Sequence, residues 1–228
     1  MDSPPLRPQE LAAEFIGTAL LVTGVIGSGI MAERLSDDVG LQLLENAFAT
    51  AGVLLALILA LGPVSGAHFN PVVTLFELAR RTLDARKAAA FIVVQIAGGC
   101  GGAMLANAMF DLPLIEISEK SRSGSHQLLA EVVATFGLLL VIHGVVSAGK
   151  PTLAAATVAG WIGGAYWFTS STSFANPAVT IARTLSNTFA GIDPSDAVGF
   201  IVAQLFAGAV GIVVIRWLFA PPAPSSQT

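Results

Sequence analysis

The stretch "SFANPAVTIAR" at residues 173–183 decides the fold of this chain, because it places a turn inside a strongly apolar region. The turn at Asn176-Pro177 is followed by helix-compatible residues, and a helix of about ten residues is about 15 Å long. That length is half the hydrocarbon thickness of a bilayer. The stretch "GPVSGAHFNPVVTLFELARR" at residues 62–81 has the same arrangement around Asn70-Pro71. The two stretches predict half-helices that enter a membrane from opposite sides and meet at its midplane.

The composition is that of an integral membrane protein. Of the 228 residues, 54% are hydrophobic and 11% are charged, whereas a soluble domain carries about 25% charged residues. With a net charge of −4 and no basic patch, the sequence predicts no nucleic-acid partner. The single Cys100 excludes an internal disulfide framework. The N-terminal "MDSPPLRPQE" lacks the basic and then apolar pattern of a cleaved signal peptide.

Six apolar stretches reach the roughly 20 residues that a membrane-spanning helix needs. Seven basic residues fall on the side of the two termini and four on the other side, so the positive-inside tendency predicts cytoplasmic termini. The predicted spans are 11–32, 41–63, 86–109, 126–148, 152–170 and 197–220.

Three blocks of sequence occur twice, at offsets of 117, 106 and 109 residues. They align Glu14 with Glu131, the first Asn-Pro turn with the second, and Gln95 with Gln204. Each half has three spans, so the second half is inverted, and inverted repeats place a site near the midplane.

The predicted fold is therefore an all-α membrane protein with six transmembrane helices and two re-entrant half-helices in an inverted 3+3 repeat. The whole chain, 1–228, is expected to be one transmembrane channel domain. Its predicted parts are repeat one at about 10–109, a connecting loop at about 110–125, repeat two at about 126–220 and a disordered tail at 221–228.

The two Asn-Pro turns predict a polar path through the protein, because irregular backbone at membrane depth must be buried in protein or reached by water. Proline suits the first position of a helix, and asparagine suits the cap before it. With the side-chain oxygens of Asn70 and Asn176 used as caps, their amide NH₂ groups are expected to point at a passing solute. The helix N-termini add positive partial charge, which repels cations and protons.

Paired Asn-Pro turns, six spans and a glutamate in the first helix of each half are similar to the aquaporin (major intrinsic protein) family. The resemblance covers about residues 10–220. It implies a right-handed bundle of six helices and two half-helices, a pore in each subunit and a homotetramer. The motifs here are Asn70-Pro71-Val72 and Asn176-Pro177-Ala178. Since the family usually has alanine third, Val72 is expected to narrow or reshape the midplane slightly.

The resemblance also implies a selectivity filter of four residues on the outer side of the turns. Water-selective members have Phe, His, a small residue and Arg there, and glycerol-conducting members have two aromatics, a small residue and Arg. In this chain no filter position is aromatic, and valine lacks the fixed charge and five donors of arginine. The predicted filter is therefore wide, weakly polar and uncharged, provided that no neighbouring aromatic side chain swings inward. The filter positions are Thr50, Gly164, Ser173 and Val179, and the neighbouring aromatics are Tyr166, Trp167 and Phe168.

Such a filter predicts a passive channel for water and small neutral polyhydroxy solutes. It is similar to that of a bacterial aquaglyceroporin subgroup linked to arsenic detoxification, in which valine replaces the filter arginine, and the stretch 165–183 resembles that subgroup. Arsenite at neutral pH is uncharged As(OH)₃, a triol-like solute. The resemblance thus implies arsenite or methylated arsenicals as candidate solutes and the bacterial inner membrane as the location.

Arg183 has two interpretations. It follows Val179 by four residues and so lies on the same helix face one turn farther out, from where it would reach the outer vestibule. In the alternative, which the sequence favours, it reaches the headgroups or pairs with Asp193 or Asp196.

Other polar residues in the spans are interpreted as structural. In a transporter Glu14 and Glu131 would be proton carriers, whereas the family resemblance implies that they accept backbone N–H groups from the loops at the Asn-Pro turns. Gln95 and Gln204 are expected to brace those loops. His68 resembles a pore-lining histidine of the family near the cytoplasmic side, and a capped loop histidine is the equal alternative.

Other classes of protein are weighed against the channel. An ion-coupled secondary transporter also uses inverted repeats and broken helices, and it remains the alternative. The chain is not predicted to be an enzyme, because its spans contain no plausible nucleophile–base pair. No metal site or cofactor is predicted, and the expected partners are membrane lipid, further copies of the chain and small neutral solutes.

Overall fold

The computed structural model describes residues 6–220, and the predicted disordered tail at 221–228 lies outside them. The described part contains eight α-helices and no strand. They are α1 (Pro8–Leu35), α2 (Val39–Ser65), α3 (Pro71–Ala79), α4 (Ala85–Met109), α5 (Ser125–Ser147), α6 (Ala154–Phe168), α7 (Pro177–Arg183) and α8 (Pro194–Leu218). Five of them, α1, α2, α4, α5 and α8, are long and apolar enough to cross a membrane.

The fifth predicted span forms a shorter helix than expected. Helix α6 has 15 residues, and a 3₁₀ turn at Pro151–Leu153 precedes it. At about 1.5 Å per residue for the helix and 2 Å for the turn, the two together extend roughly 28 Å. The predicted boundary at residue 152 therefore falls within the turn.

The two halves repeat one arrangement. Helix α1 packs against α2 and α4, and α5 packs in the same way against α6 and α8. The halves meet where α2 packs on α6, and where each short helix, α3 or α7, reaches the last long helix of the other half. The predicted inverted architecture of six helices and two half-helices is thus confirmed, with the half-helices at the centre.

Glycine allows the close approach of α1 and α4. A Cβ on Gly98 would overlap the backbone oxygen of Phe15, and a Cβ on Gly102 would overlap that of Ala19. Small residues at helix crossings give membrane bundles their close packing.

The segment between α4 and α5 covers the end of α7. The N–H groups of Glu116 and Ser118 donate to the oxygens of Leu185 and Thr184, at 3.1 and 2.9 Å. The N–H of Asp193 donates in turn to the oxygen of Lys120 at 2.8 Å. This connecting segment therefore shapes the mouth at which α7 ends.

Candidate functional site

The two Asn-Pro turns meet and hold each other at the centre of the molecule. The Asn70 side chain accepts from the N–H of Val72, and the Asn176 side chain accepts from the N–H groups of Ala178 and Val179. The Nδ2 of Asn70 donates to the oxygen of Ala175 at 2.7 Å. In return the Nδ2 of Asn176 donates to the oxygen of Phe69 at 2.8 Å. An amide nitrogen carries two hydrogens, so each asparagine keeps one donor for the cavity it lines.

The residues before the turns have unusual backbone conformations. Phe69 and Ala175, which precede the asparagines, have φ of 49° in both cases, and Ala67 and Ser173 have φ of 51° and 53°. Non-glycine residues seldom adopt this left-handed region, so neighbouring contacts must hold them there. The oxygens that receive the asparagine donors are those of Phe69 and Ala175.

Glu14 supplies these contacts in the first half. Its Oε1 accepts from the N–H of His68 at 3.0 Å and from Ser65 Oγ at 2.6 Å. Its Oε2 accepts from the N–H of Phe69 at 2.7 Å and from Gln95 Nε2 at 2.8 Å. The carboxylate is completely buried, and four donors offset the cost of removing it from water.

Glu131 has the equivalent contacts in the second half. Its two oxygens accept from the N–H groups of Phe174 and Ala175 at 2.9 and 2.8 Å, and Gln204 Nε2 donates to it at 2.6 Å. The family resemblance implied such contacts for the glutamates, and they fix both loops to the long helices.

A cavity of about 700 Å³ runs past both asparagines. Glu77, Arg80 and Thr82 line it near one mouth, and Ser173 and Arg183 line it toward the other. Most of the wall between them is apolar, with residues such as Val25, Ile58 and Ile162. Such a wall, with a few polar groups at the centre, binds weakly any small solute that can form hydrogen bonds.

Three of the four predicted filter residues line this cavity. Thr50, Ser173 and Val179 belong to the wall and are 2%, 3% and 5% exposed. Gly164 does not belong to it: the glycine faces the outer surface of α6, and a Cβ built on it meets nothing within 4 Å.

Tyr166 occupies the place that Gly164 was expected to leave open. Its hydroxyl lies 3.1 Å from Thr50 Oγ1, so the two hydroxyls link α6 to α2 beside the cavity. Trp167 and Phe168 remain exposed on the outer surface. The sequence did carry a signal, because Val158, Ile162 and Tyr166 recur every four residues on the face of α6 that lines the cavity.

Arg183 is buried at the end of α7 and lines the cavity. Its Nε donates to the oxygen of Ala190, and its guanidinium lies 3.3 Å from the centre of the Phe174 ring. Within residues 6–220 it forms no ion pair with Asp193 or Asp196, so the favoured interpretation of pairing or reaching the headgroups is wrong. The wall is uncharged at Val179, as predicted, but carries a guanidinium one turn farther out.

Val72 does not reshape the midplane. It is 1% exposed and lies outside the cavity wall, which takes Val73 from this helix instead. A Cβ built on Gly208 of α8 would lie 2.9 Å from Val72 Cγ1, so the valine packs against that glycine.

His68 combines its two interpretations. It lines the cavity, and its Nδ1 lies 3.1 Å from Thr74 Oγ1. Its backbone N–H belongs to the Glu14 network described above.

Comparison with known proteins identifies the family. The model of the major intrinsic protein family matches residues 5–172. The chain belongs to the major intrinsic protein family. It is 46% identical over 212 residues to aquaglyceroporin AqpS of Rhizobium meliloti (strain 1021), covering 93% of this chain and 91% of that protein. The X-ray structure of the aquaglyceroporin from Plasmodium falciparum has the same fold, with a TM-score of 0.69 at 20% identity, covering 92% of this chain and 98% of that one.

Membership of the major intrinsic protein family assigns the general activity. The chain is a multi-pass membrane channel through which water and small solutes pass passively, and ion-coupled transport is not favoured. The family is one of channels and not of enzymes. Within residues 6–220 no group of three or more His, Cys, Asp or Glu side chains is placed to hold a metal ion.

Proposed function

We propose that this channel passes glycerol-like polyols and arsenite or methylated arsenicals, in addition to water, through a wall that is uncharged at Val179. The observation that carries the proposal is the cavity beside that valine. A filter arginine there would offer a fixed fork of donors and a permanent charge, which valine does not. Hydroxyl groups of Thr50 and Ser173 remain for the solute.

The 46% identity to a protein named as an aquaglyceroporin supports the polyol part of the proposal. Arsenite is an uncharged triol-like molecule at neutral pH, so a pore that accepts glycerol offers it the same hydroxyl contacts. The remaining amide donors of Asn70 and Asn176 supply hydrogen bonds near the centre of the path.

Stopped-flow light scattering of proteoliposomes tests the proposal with water, glycerol and arsenite. We expect all three to move faster than in empty liposomes, at rates that ionophores do not change. Val179→Arg is expected to lower glycerol and arsenite flux about tenfold and water flux less, because a new guanidinium narrows and charges the wall.

Val179→Leu is the matched control for size without charge, and it should reduce solute flux less than Val179→Arg. Wild-type flux no faster than that of empty liposomes for any solute would refute the channel. A solute profile that Val179→Arg leaves unchanged would instead refute the role of residue 179.

We further propose that the channel is a homotetramer in the bacterial inner membrane, with both termini cytoplasmic. The family resemblance supports the assembly, and the distribution of basic residues supports the orientation.

A further inference from the structure

We propose that Arg183 is the cation barrier of this pore, one helical turn outward from Val179, and that Arg122 positions it. The inference rests on the proposed solute pathway, because it assigns the charged residue that controls what enters that pathway.

The position of Arg183 follows from the direction of α7. The helix begins at the central Asn-Pro turn and ends at Arg183, so this residue lies at the outward end. Four residues separate it from Val179, which corresponds to about 6 Å along the helix axis. Both side chains line the same cavity, and a charge at position 183 therefore acts on the same column of water and solute.

The guanidinium of Arg183 is largely unused by the protein. Arginine has five N–H donors, and only the Nε donates to another group in residues 6–220, the oxygen of Ala190. The face of the cation rests on Phe174, at 3.3 Å from the ring centre. The terminal nitrogens are thus left for water or solute in the cavity that Arg183 lines.

A second unsatisfied group lies on the same part of the wall. Ser173 is 3% exposed, lines the cavity, and its Oγ has no hydrogen-bond partner among the described residues. Buried polar atoms are usually satisfied, so this hydroxyl points to a bound water or solute. Together, Arg183 and Ser173 offer a neutral solute several hydrogen-bond donors and one acceptor. Neither residue offers a cation a negatively charged acceptor.

No carboxylate forms an ion pair with Arg183 in the described part of the chain. The carboxylate of Glu131 accepts instead from the N–H groups of Phe174 and Ala175 and from Gln204. Asp193 caps α8 through Ser195, and Asp196 accepts from the N–H of Arg122 at 2.7 Å. A cation with no anionic partner in a confined, partly dehydrated space repels other cations much more strongly than it would in water. This supplies the barrier that Val179 does not.

Arg122 fixes the turn that holds Arg183. Its Nε donates to the oxygen of Gly191 at 2.7 Å, and its Nη2 donates to that of Phe189 at 3.1 Å. The oxygen between these two, on Ala190, receives Arg183. Of the three consecutive carbonyls, the outer two therefore accept from Arg122 and the middle one accepts from Arg183. Arg122 is a positioning residue, because it orients this turn from the connecting segment.

Lys120 adds to the positive charge at this mouth. Its Nζ donates to the oxygen of Phe189 at 2.7 Å. Burial and the neighbouring Arg122 lower the pKa of Lys120 to about 8. At neutral pH the residue still carries most of its charge, so a third cation lies at this turn, beside the Glu33 carboxylate that accepts from the N–H of Phe189 at 3.0 Å.

The experiment measures K⁺ and H⁺ leak together with glycerol flux in proteoliposomes of wild type, Arg183→Gln and Arg183→Lys. We expect Arg183→Gln to raise cation leak at least tenfold relative to glycerol flux measured in the same proteoliposomes. Arg183→Lys, the matched control that keeps the charge, should keep the leak within threefold of wild type. In the double variant Val179→Arg/Arg183→Gln, a guanidinium on the same wall should restore low leak.

The role of Arg122 is tested by a double-mutant cycle with Arg183, with cation leak as the measured quantity. Arg122→Gln should raise cation leak in the wild-type background and have no further effect on leak in the Arg183→Gln background. An equal effect in both backgrounds would overturn its positioning role, because Arg122 would then act independently of Arg183.

Two results would overturn the barrier itself. One is wild-type cation leak in Arg183→Gln that still conducts glycerol. The other is a tenfold fall in cation leak when Val179→Arg is introduced into the wild-type channel, because the wild type would then have had no effective cation barrier. This second measurement can be used even if Arg183→Gln does not reconstitute. Wild-type glycerol flux reports separately on the proposed function.

Discussion

Val72 stands third in the first Asn-Pro turn, and its Cγ1 lies close to where a side chain at position 208 would begin. A Cβ on Gly208 would be 2.9 Å from that methyl group, which is closer than packed atoms tolerate. In the second half, Ala178 occupies the position of Val72 and faces Gly99, where a Cβ would lie 3.2 Å from the Ala178 oxygen. The larger residue in the first turn is thus accommodated by α8, and the pore is unaffected.

This contact predicts that the two positions are coupled. Gly208→Ala should destabilise the protein by about 1–3 kcal/mol, as overpacking of a core does. In a Val72→Ala background the same change should cost much less, because the methyl group that it meets is gone. Thermal denaturation in detergent of both single variants and the double variant gives the coupling.

Gly52→Ala is the matched control, since a Cβ there meets nothing within 4 Å. It should leave the melting temperature unchanged or slightly raised, because alanine favours a helix over glycine. If Gly208→Ala were equally costly with and without the valine methyl groups, α8 would not be packed on Val72 as described.

At the scale of the helices, the half-helices are stable because each has its loop anchored at several points. Helices α3 and α7 have nine and seven residues, and isolated helices this short are unstable. Asparagine caps, the carboxylates of Glu14 and Glu131, and packing against α4 and α8 hold them at the centre of the bundle.

Much of this arrangement could be predicted from sequence, because its causes are local or repeated. Asparagine is a favoured helix cap and proline a favoured first helical residue, so an Asn-Pro pair predicts a helix start. The sequence repeat paired Glu14 with Glu131 and Gln95 with Gln204, and the family resemblance implied the role of the glutamates as acceptors for the loops.

The rotation of α6 could not be obtained in the same way. Counting positions back from the second Asn-Pro turn led to Gly164. Successive side chains of a helix are rotated by about 100° around its axis, so an error of two residues selects a side chain on nearly the opposite face. Tyr166, two residues on, faces the cavity and pairs with Thr50.

The environment of Arg183 was also beyond a sequence argument. Its acceptor, the oxygen of Ala190, belongs to a turn that Arg122 orients from more than sixty residues away. The competing partners Asp193 and Asp196 were close in sequence, but Ser195 and the Arg122 backbone already occupy them. Long-range contacts of this kind leave no pattern in a single sequence.

At the scale of the whole molecule, the proposed orientation can be measured. Helix α4 runs from Ala85 to the connecting segment that contains Ser123, so these two residues lie at opposite ends of the bundle, and both are exposed. In a Cys100→Ser background, a membrane-impermeant maleimide added to intact cells should label Ser123→Cys and not Ala85→Cys. Permeabilised cells, in which both variants should be labelled, are the control, and the reverse pattern in intact cells would place the termini outside.

In the proposed tetramer, we expect Gly164 to lie at a contact between subunits. Gly160 and Gly164 lie four residues apart on the exposed face of α6, and a Cβ on either would meet nothing within 4 Å in residues 6–220 beyond the backbone of its own helix. Membrane helices associate through such small residues, because lipid provides no hydrophobic drive to join apolar surfaces. A second copy packed closely on this face would explain why the surface carries no side chain at these positions.

Native mass spectrometry of the purified channel should therefore give the mass of four copies, and Gly164→Leu should shift it toward one copy by obstructing the contact. The variant should keep its helix content, because position 164 is exposed and a Cβ there meets nothing within 4 Å in the described part of its own subunit. Ala89→Leu, at an exposed position on α4, is the control and should remain tetrameric. A single-copy mass for the wild type would contradict the tetramer, whereas a tetramer that withstands Gly164→Leu would assemble through a different face.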